Sequence, residues 1–343
     1  MNNIDFKKLG DYVKIKTGKL DANASSEDGE YPFFTCSIEP LKISSYSYDC
    51  ECCLVAGNGV LNVKYYNGKF DAYQRTYIIE SLDKEKLDVM YLYFFLSSYI
   101  EVLRKQSIGG VIKYIKLGNL TDALIPIPEL SKQKEICQNL IKAKKILSSN
   151  ENLLSKYDTL IKSRFIEMFG DPRINSKNLP SVKFIDVIKL QRGFDLPVQE
   201  RDSTGKINVY GSNGVLGKHN EIKVKGPGIV TGRSGTLGKV YYVLEDYWPL
   251  NTTLFSVDTH GNNVIYLKYL LEAFELERFT EGAGVPTLNR NIVHEKEIIN
   301  APLELQQQFA SFVLQIDKSK FAVQKSLEKA ETLYKSLMQE YFG

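Results

Sequence analysis

Two stretches of the chain carry apolar residues on a spacing that neither a strand nor an ordinary surface helix uses. From Ser131, apolar side chains fall at Ile136, Leu140, Ala143, Leu147, Leu154, Tyr157, Ile161 and Met168, largely in steps of three and four, with Asn150 in a gap. A second run places Phe309, Val313, Ile316, Val323, Leu327, Ala330, Tyr334, Leu337 and Tyr341 on the same spacing, with Lys320 in its gap. Steps averaging 3.5 residues make a coiled-coil seam. The polar member of each seam either fixes register or lies solvated near a fraying layer. A helix of about 39 residues is roughly 58 Å long, more than the diameter of a 130-residue domain, so each helix is expected to project.

Outside these stretches the pattern changes to short β runs punctuated by glycine. Val13 to Ile15, Cys53 to Ala56, Val63 to Tyr66 and Tyr77 to Ile79 read as strands in the first half. Val187 to Leu190, Gly228 to Thr231, Val240 to Leu244 and Thr253 to Val257 do so in the second. A helix follows in each half, at Val89 to Arg104 and at Ile265 to Phe279. The chain thus divides into a globular segment (1–130), a long helix (131–170), a second globular segment (171–302) and a second long helix (303–343).

The two halves repeat. DTLIKSRFIEMFG at 158–170 returns as ETLYKSLMQEYFG at 331–343. At an offset near 174, Gly18 meets Gly193, Val55-Ala56-Gly57 meets Val230-Thr231-Gly232, Met90-Tyr91-Leu92 meets Ile265-Tyr266-Leu267, and Pro128 meets Pro302. Five residues after each proline stands a glutamine, Gln133 and Gln307. Between Gly170 and Phe184 about 14 residues reach at most ~50 Å, too little to return along a helix. The seams are therefore expected to pair antiparallel, with the globular segments at opposite ends of a rod about a pseudo-two-fold axis.

Charge and composition narrow the chemistry. The formal net charge of the 343 residues is +3. Residues 1–130 carry 15 basic and 17 acidic side chains and residues 180–302 carry 14 of each, whereas 131–170 carry 8 against 4. Binding to nucleic acid through the overall field is not favoured, and local placement must carry any such role. Five cysteines, three of them in Asp49-Cys50-Glu51-Cys52-Cys53, form no even framework, and the second half has no counterpart to complete a zinc site. They read as strand residues, with no metal expected. The longest apolar run, Tyr91 to Leu96, is too short for a bilayer, so a cytoplasmic protein is expected.

Recurring glycine turns hold the candidate chemistry. Gly232-Arg233-Ser234-Gly235-Thr236-Leu237-Gly238-Lys239-Val240 invites comparison with a phosphate-binding loop, but Arg233 and Val240 break that pattern at both ends. Gly57-Asn58-Gly59-Val60-Leu61-Asn62-Val63-Lys64 is its counterpart. Ala72-Tyr73-Gln74-Arg75-Thr76 matches Pro249-Leu250-Asn251-Thr252-Thr253, and Gly109-Gly110-Val111-Ile112-Lys113-Tyr114 matches Ala283-Gly284-Val285-Pro286-Thr287-Leu288. A constant skeleton with changed polar tips suits two readers of two different words. No methyltransferase Asn-Pro-Pro-Tyr or Asp-Pro-Pro-Tyr motif and no glycine-rich cofactor loop is found.

This order of parts resembles the specificity subunit of type I restriction-modification systems, over the whole chain. The resemblance implies an α+β fold with two target recognition domains separated by two helices in an antiparallel coiled coil. It further implies sequence-specific reading of a bipartite double-stranded DNA site and docking of two methyltransferase subunits, with a restriction/translocase subunit as an optional further partner. No catalytic residue is implied in this chain, and S-adenosylmethionine would be bound by the methyltransferase partners. Candidate base-reading residues are Asn58, Lys64, Gln74, Arg75, Lys113 and Tyr114 in the first domain. In the second they are Asn213, Arg233, Ser234, Asn251, Thr252, Thr287 and Arg290. The competing reading is a non-catalytic scaffold that uses duplicated domains and a coiled coil to hold two protein clients.

Overall fold

The computed structural model describes residues 6–282 and 286–343. The chain divides into two compact units, one of residues 1–150 with 326–343 and one of residues 151–325.

The first unit is built on a six-stranded sheet. Its strand order is Val13–Thr17, Thr76–Ser81, Tyr48–Ala56, Val63–Ala72, Tyr31–Phe34, Leu41–Ile43. All neighbours run antiparallel except Tyr31–Phe34 beside Val63–Ala72. Successive strand side chains point to opposite faces. Cys53, Val55 and Ile79 therefore meet the helix Val89–Gln106 in one core, while Cys52, Leu54 and Ile78 meet Phe34 and Phe70 in another. The crowded cysteines are strand residues serving two cores.

The second unit repeats this order with one interruption. Lys189–Arg192, Thr253–Asp258, Gly228–Gly232 and Val240–Val243 form a four-stranded sheet. Leu244-Glu245-Asp246 breaks what is one strand in the first unit, and Tyr247–Pro249 joins a separate sheet with Ile207–Gly211 and Gly214–His219. The parallel pairing of Tyr247–Pro249 with Ile207–Gly211 stands where Val63–Ala72 pairs with Tyr31–Phe34. Gly18 and Gly193 occupy the same junction in the two units. A Cβ would lie 2.1 Å from the Ala72 carbonyl oxygen at one and 2.2 Å from that of Leu250 at the other, so only glycine fits.

Two expected elements differ. Val187 to Leu190 is not one strand: Phe184–Val187 makes a helical turn whose Phe184 and Val187 are buried, and the strand runs Lys189–Arg192. The helix expected to reach Phe279 ends at Ala273, where Glu275 adopts φ 57° and a short 3-10 turn, Leu276–Phe279, follows.

The long helices are Leu130–Phe169 and Leu303–Phe342. In the first unit Ile136, Cys137 and Leu140 at the start of one share a core with Tyr334, Leu337, Met338, Tyr341 and Phe342 at the end of the other. In the second unit Ile161, Phe165 and Phe169 pack with Phe309, Val313 and Ile316. The pairing is antiparallel in both. Of the seam, Ile136, Leu140, Ile161, Phe309, Val313 and Leu327 are buried, and Leu147, Leu154, Ile316, Val323 and Tyr334 are half-buried. Both polar members find partners on the other helix: Asn150 Nδ2 donates to Ser326 Oγ at 3.2 Å and Lys320 Nζ to Asp158 Oδ1 at 2.5 Å.

The repeated phrase acquires a structural role here. Phe169 closes on Tyr266 of the second unit (ring centroids 4.9 Å apart) and Phe342 on Tyr91 of the first (5.1 Å). Each copy seals one core.

The helix starts carry a matching buried glutamine. Gln133 Oε1 accepts the N–H of Asp88, the N-cap of Val89–Gln106, while its Nε2 donates to the carbonyls of Lys86 and Pro128. In the second unit the equivalent is Gln306, not Gln307. Gln306 Oε1 accepts the N–H of Asn263, the N-cap of Val264–Ala273, and Nε2 donates to Ala301 O and Asn262 Oδ1. Gln307 is exposed. The partner of Pro128 is correspondingly Ala301, one place before Pro302.

Candidate functional site

In the first unit four loops converge through the backbone. The Gly57 N–H donates to Arg75 O at 2.7 Å, the Ile115 N–H to Gly57 O at 2.9 Å, and the Gly59 N–H to Lys113 O at 3.0 Å. Asn58 pairs with Tyr114 across an isolated bridge. The fourth loop enters through Cys36, whose Sγ donates to Asn58 Oδ1 at 2.9 Å and to Arg75 O at 3.6 Å. Asn62 Nδ2 donates to the carbonyls of Cys36 and Val60, both at 2.9 Å, and Lys64 Nζ donates to Asn62 Oδ1 at 2.5 Å.

Asn58, Arg75, Lys113 and Tyr114 are thus brought together, and Lys64 joins them through Asn62. Burial holds the Lys64 ammonium below its usual range. Gln74 is tied instead to Asp21, donating to its Oδ1 at 2.8 Å on an exposed turn. Sequence reasoning missed Cys36 and Asn62. Asn62 lay inside a matched loop and was legible as a polar tip; Cys36 had no counterpart to single it out.

The second unit uses the same frame with other side chains. The Arg233 and Ser234 N–H groups donate to Thr252 O at 2.8 and 3.2 Å, the Leu288 N–H donates to Arg233 O at 2.8 Å, and Ser234 bridges to Thr287. By these bonds Arg233 stands where Gly57 stands and Ser234 where Asn58 does. The strand match made through Gly57 and Gly232 is accordingly one residue out of register.

Arg233, Thr287 and Arg290 line one cavity of about 340 Å³ together with Arg192, Glu281 and Asn289. Thr252 contributes its carbonyl. Asn213 sits on the neighbouring turn, where Ser212 approaches Gly235 and Lys239 Nζ donates to Asn213 Oδ1 at 2.7 Å. Asn251 is held apart, its amide donating to the Asp195 carboxylate. Of the matched loop 283–288, Ala283 to Val285 lie outside the described residues. Arg192 was missed because its strand was placed two residues early.

Three buried cysteines and His294 have structural roles. Cys52, Cys53 and Cys137 are buried, and burial pushes the Cys137 thiol up to about 12 and raises the other two as well. His294 Nε2 accepts the Leu190 N–H at 3.0 Å. Among the described residues no three His, Cys, Asp or Glu side chains group as metal ligands, and no helix is long and apolar enough to cross a membrane.

Comparison with known proteins agrees with this duplicated architecture. The family model for the type I restriction modification DNA specificity domain matches residues 1–156 and 176–331. The chain is 42% identical over 139 residues to the EcoDI type I restriction enzyme specificity subunit of Escherichia coli, a match covering 40% of this chain and 31% of that protein's length. It is 23% identical over 319 residues to a putative type I specificity subunit of Mycoplasma pneumoniae, covering 88% of this chain and 82% of the relative. The crystal structure of a type I restriction-modification S subunit from M. genitalium superposes over 100% of this chain and 97% of that one, with a TM-score of 0.72 at 18% identity. A chain from a structural study of type I R-M complex assembly superposes over 98% and 97%, with a TM-score of 0.58 at 13% identity. With its two matched segments on one repeated frame, the chain belongs to the type I restriction-modification DNA specificity family.

Proposed function

We propose that this chain is a specificity subunit that reads a bipartite double-stranded DNA site, one half-site per unit, and docks two methyltransferase subunits that carry the chemistry. The observation that supports it is the conserved frame with exchanged tips: Gly57, Asn58, Arg75 and Tyr114 in one unit against Arg233, Ser234, Thr252 and Thr287 in the other. A common backbone that presents different donors and acceptors is what reading two unlike words requires. Each bidentate pairing of a side chain with a base edge in the major groove is worth about 1–3 kcal/mol of discrimination. Asn58, Lys64, Gln74, Arg75, Lys113 and Tyr114 are proposed for the first word. Asn213, Arg233, Ser234, Asn251, Thr252, Thr287 and Arg290 are proposed for the second.

The paired helices carry the spacing between the words. In the second unit Leu153, Leu160, Leu314 and Phe321 are exposed on their outer faces, 62% in the case of Phe321. Apolar side chains in that number suit a partner surface, and a methyltransferase subunit is the proposed occupant. Such a partner would hold S-adenosylmethionine and take the flipped adenine, and much of the phosphate contact would fall to it. This chain would then act in the cytoplasm without catalysis of its own.

Methylation-sensitive single-molecule sequencing tests the reading, comparing cells that express this chain with its neighbouring methyltransferase against cells with the methyltransferase alone. A bipartite motif of two unlike half-sites around a fixed gap, seen only with this chain, is the expected result. An assembled complex that adds no methylation would shift the assignment to a protein scaffold. Arg233→Ala should relax one half-site and leave the other intact; equal loss at both would contradict the division of labour.

A further inference from the structure

We propose that the two units read half-sites of different base chemistry, the second unit a G·C pair and the first an A·T pair recognised through the thymine methyl group. This rests on the DNA reading above and specifies what each unit recognises.

The second unit gathers Arg192, Arg233 and Arg290 around one cavity, and no ion pair among the described residues holds any of the three. Three like charges around one cavity favour an electron-rich partner. Glu281 lines the same cavity and sets a carboxylate acceptor beside the guanidinium donors. A G·C pair takes both kinds of group. Guanine O6 and N7 accept from arginine in the major groove, and the cytosine N4 amino group donates to a carboxylate. Glu281 Oε2 accepts from Asn289 Nδ2 at 2.8 Å, which holds the carboxylate in place and leaves Oε1 open.

In the first unit the loops at 35–41 and 57–60 line a cavity of about 490 Å³ with no charged side chain in its lining. Ile38 and Val60, exposed at 68% and 66%, stand on its rim beside Asn58 and Thr35. Asn58 pairs with Tyr114 as Ser234 pairs with Thr287, so this cavity borders the loop that matches the Ser234 turn of the second unit. In the major groove the one apolar group on a base edge is the thymine 5-methyl, and a side-chain amide is the usual partner of adenine N6 and N7. Two exposed branched side chains beside an asparagine match that pair.

The test uses the full chain assembled with its neighbouring methyltransferase. The motif is mapped for the native complex, for Arg233→Ala, for Arg290→Ala and for the double variant Ile38→Ala/Val60→Ala. Each half-site is thereby assigned to a unit, and native hydrogen-exchange protection of the substituted unit shows that a variant is folded. Methylation of synthetic duplexes is then measured with 7-deazaguanine for guanine or uracil for thymine, one base at a time.

In the half-site relaxed by Arg233→Ala or Arg290→Ala, 7-deazaguanine is expected to lower methylation about tenfold, roughly the one charged hydrogen bond that arginine donates to N7. In the half-site relaxed by the Ile38/Val60 variant, uracil is expected to lower it about fourfold, roughly one buried methyl group, and the variant should be indifferent to that change. A bipartite motif in which the second unit's half-site contains no sensitive guanine, or the first unit's no sensitive thymine, overturns this proposal alone. Absence of any bipartite motif from an assembled complex removes the DNA reading with it.

Discussion

At the residue scale, the two glutamines show how much one buried polar side chain organises. Gln306 is 1% exposed and makes three hydrogen bonds, to the N-cap Asn263 of Val264–Ala273, to the neighbouring Asn262 and to the Ala301 carbonyl before its own helix. Each such bond contributes about 1 kcal/mol net, and its loss leaves buried groups unpaired. Gln306→Ala is therefore expected to lower the unfolding free energy by about 2–4 kcal/mol in urea titrations. Gln307→Ala, at an exposed position, should stay within about 0.5 kcal/mol of the native chain. Sequence spacing from the proline selected the wrong member of this pair, because three adjacent glutamines are equivalent until the helix phase is known.

His294 gives a pH dependence of definite sign. Its ring stacks on Phe184, with centroids 6.0 Å apart, and accepts the Leu190 N–H, so it is neutral in the fold. Burial, then the charges of Arg290 and Lys189, hold its pKa below the usual 6.5, and Glu295 opposes them. Above that pH the ring is neutral in folded and unfolded chains alike, and its contribution is fully present. As pH falls below it, the unfolded chain takes up a proton that the fold disfavours, and stability is lost. Thermal melts of the second unit should shift downward between about pH 7 and 5, and His294→Gln should flatten that part of the profile.

At the element scale, the ends of the long helices are core elements. Residues 331–343 place Tyr334, Leu337, Met338, Tyr341 and Phe342 against the core of the first unit, which is otherwise made by residues far away in sequence. Removing a buried aromatic side chain alone costs about 3–5 kcal/mol, and a whole domain is stable by only about 5–15 kcal/mol. Deletion of 331–343 should unfold the first unit while the second keeps its protection, as hydrogen exchange would show. Loss of protection in the second unit instead would contradict the assignment of this segment. The seam itself was legible because a 3.5-residue spacing is a property of one helix. Which core each end enters was not, since that depends on partners far away in sequence, such as Tyr266 for Phe169 and Tyr91 for Phe342.

At the scale of the whole molecule, charge bears on the proposed DNA reading. With a net charge of +3 and globular segments near neutrality, the isolated chain lacks the field that gives tight salt-dependent binding. Fluorescence anisotropy on a labelled duplex at physiological salt should give a dissociation constant in the nonspecific range, about 10⁻⁴–10⁻⁶ M, tightening when the methyltransferase is added. Nanomolar affinity of the chain alone would contradict this.

The sequence by itself determined the duplication, the two long helices, several strands of the two main sheets and the polar decoration of the glycine turns. These follow from periodicity and residue type, which local backbone geometry converts directly into structure. Only the tertiary structure decided the register between the halves, where Arg233 rather than Gly232 takes the place of Gly57. It also brought Arg192 to Arg233 and Arg290, and Cys36 to Asn58. It tied Gln74 and Asn251 to Asp21 and Asp195, away from their neighbours. The physical reason is common to all of these: a loop side chain is aimed by hydrogen bonds to strands distant in sequence, and those bonds exist only once the sheets have formed.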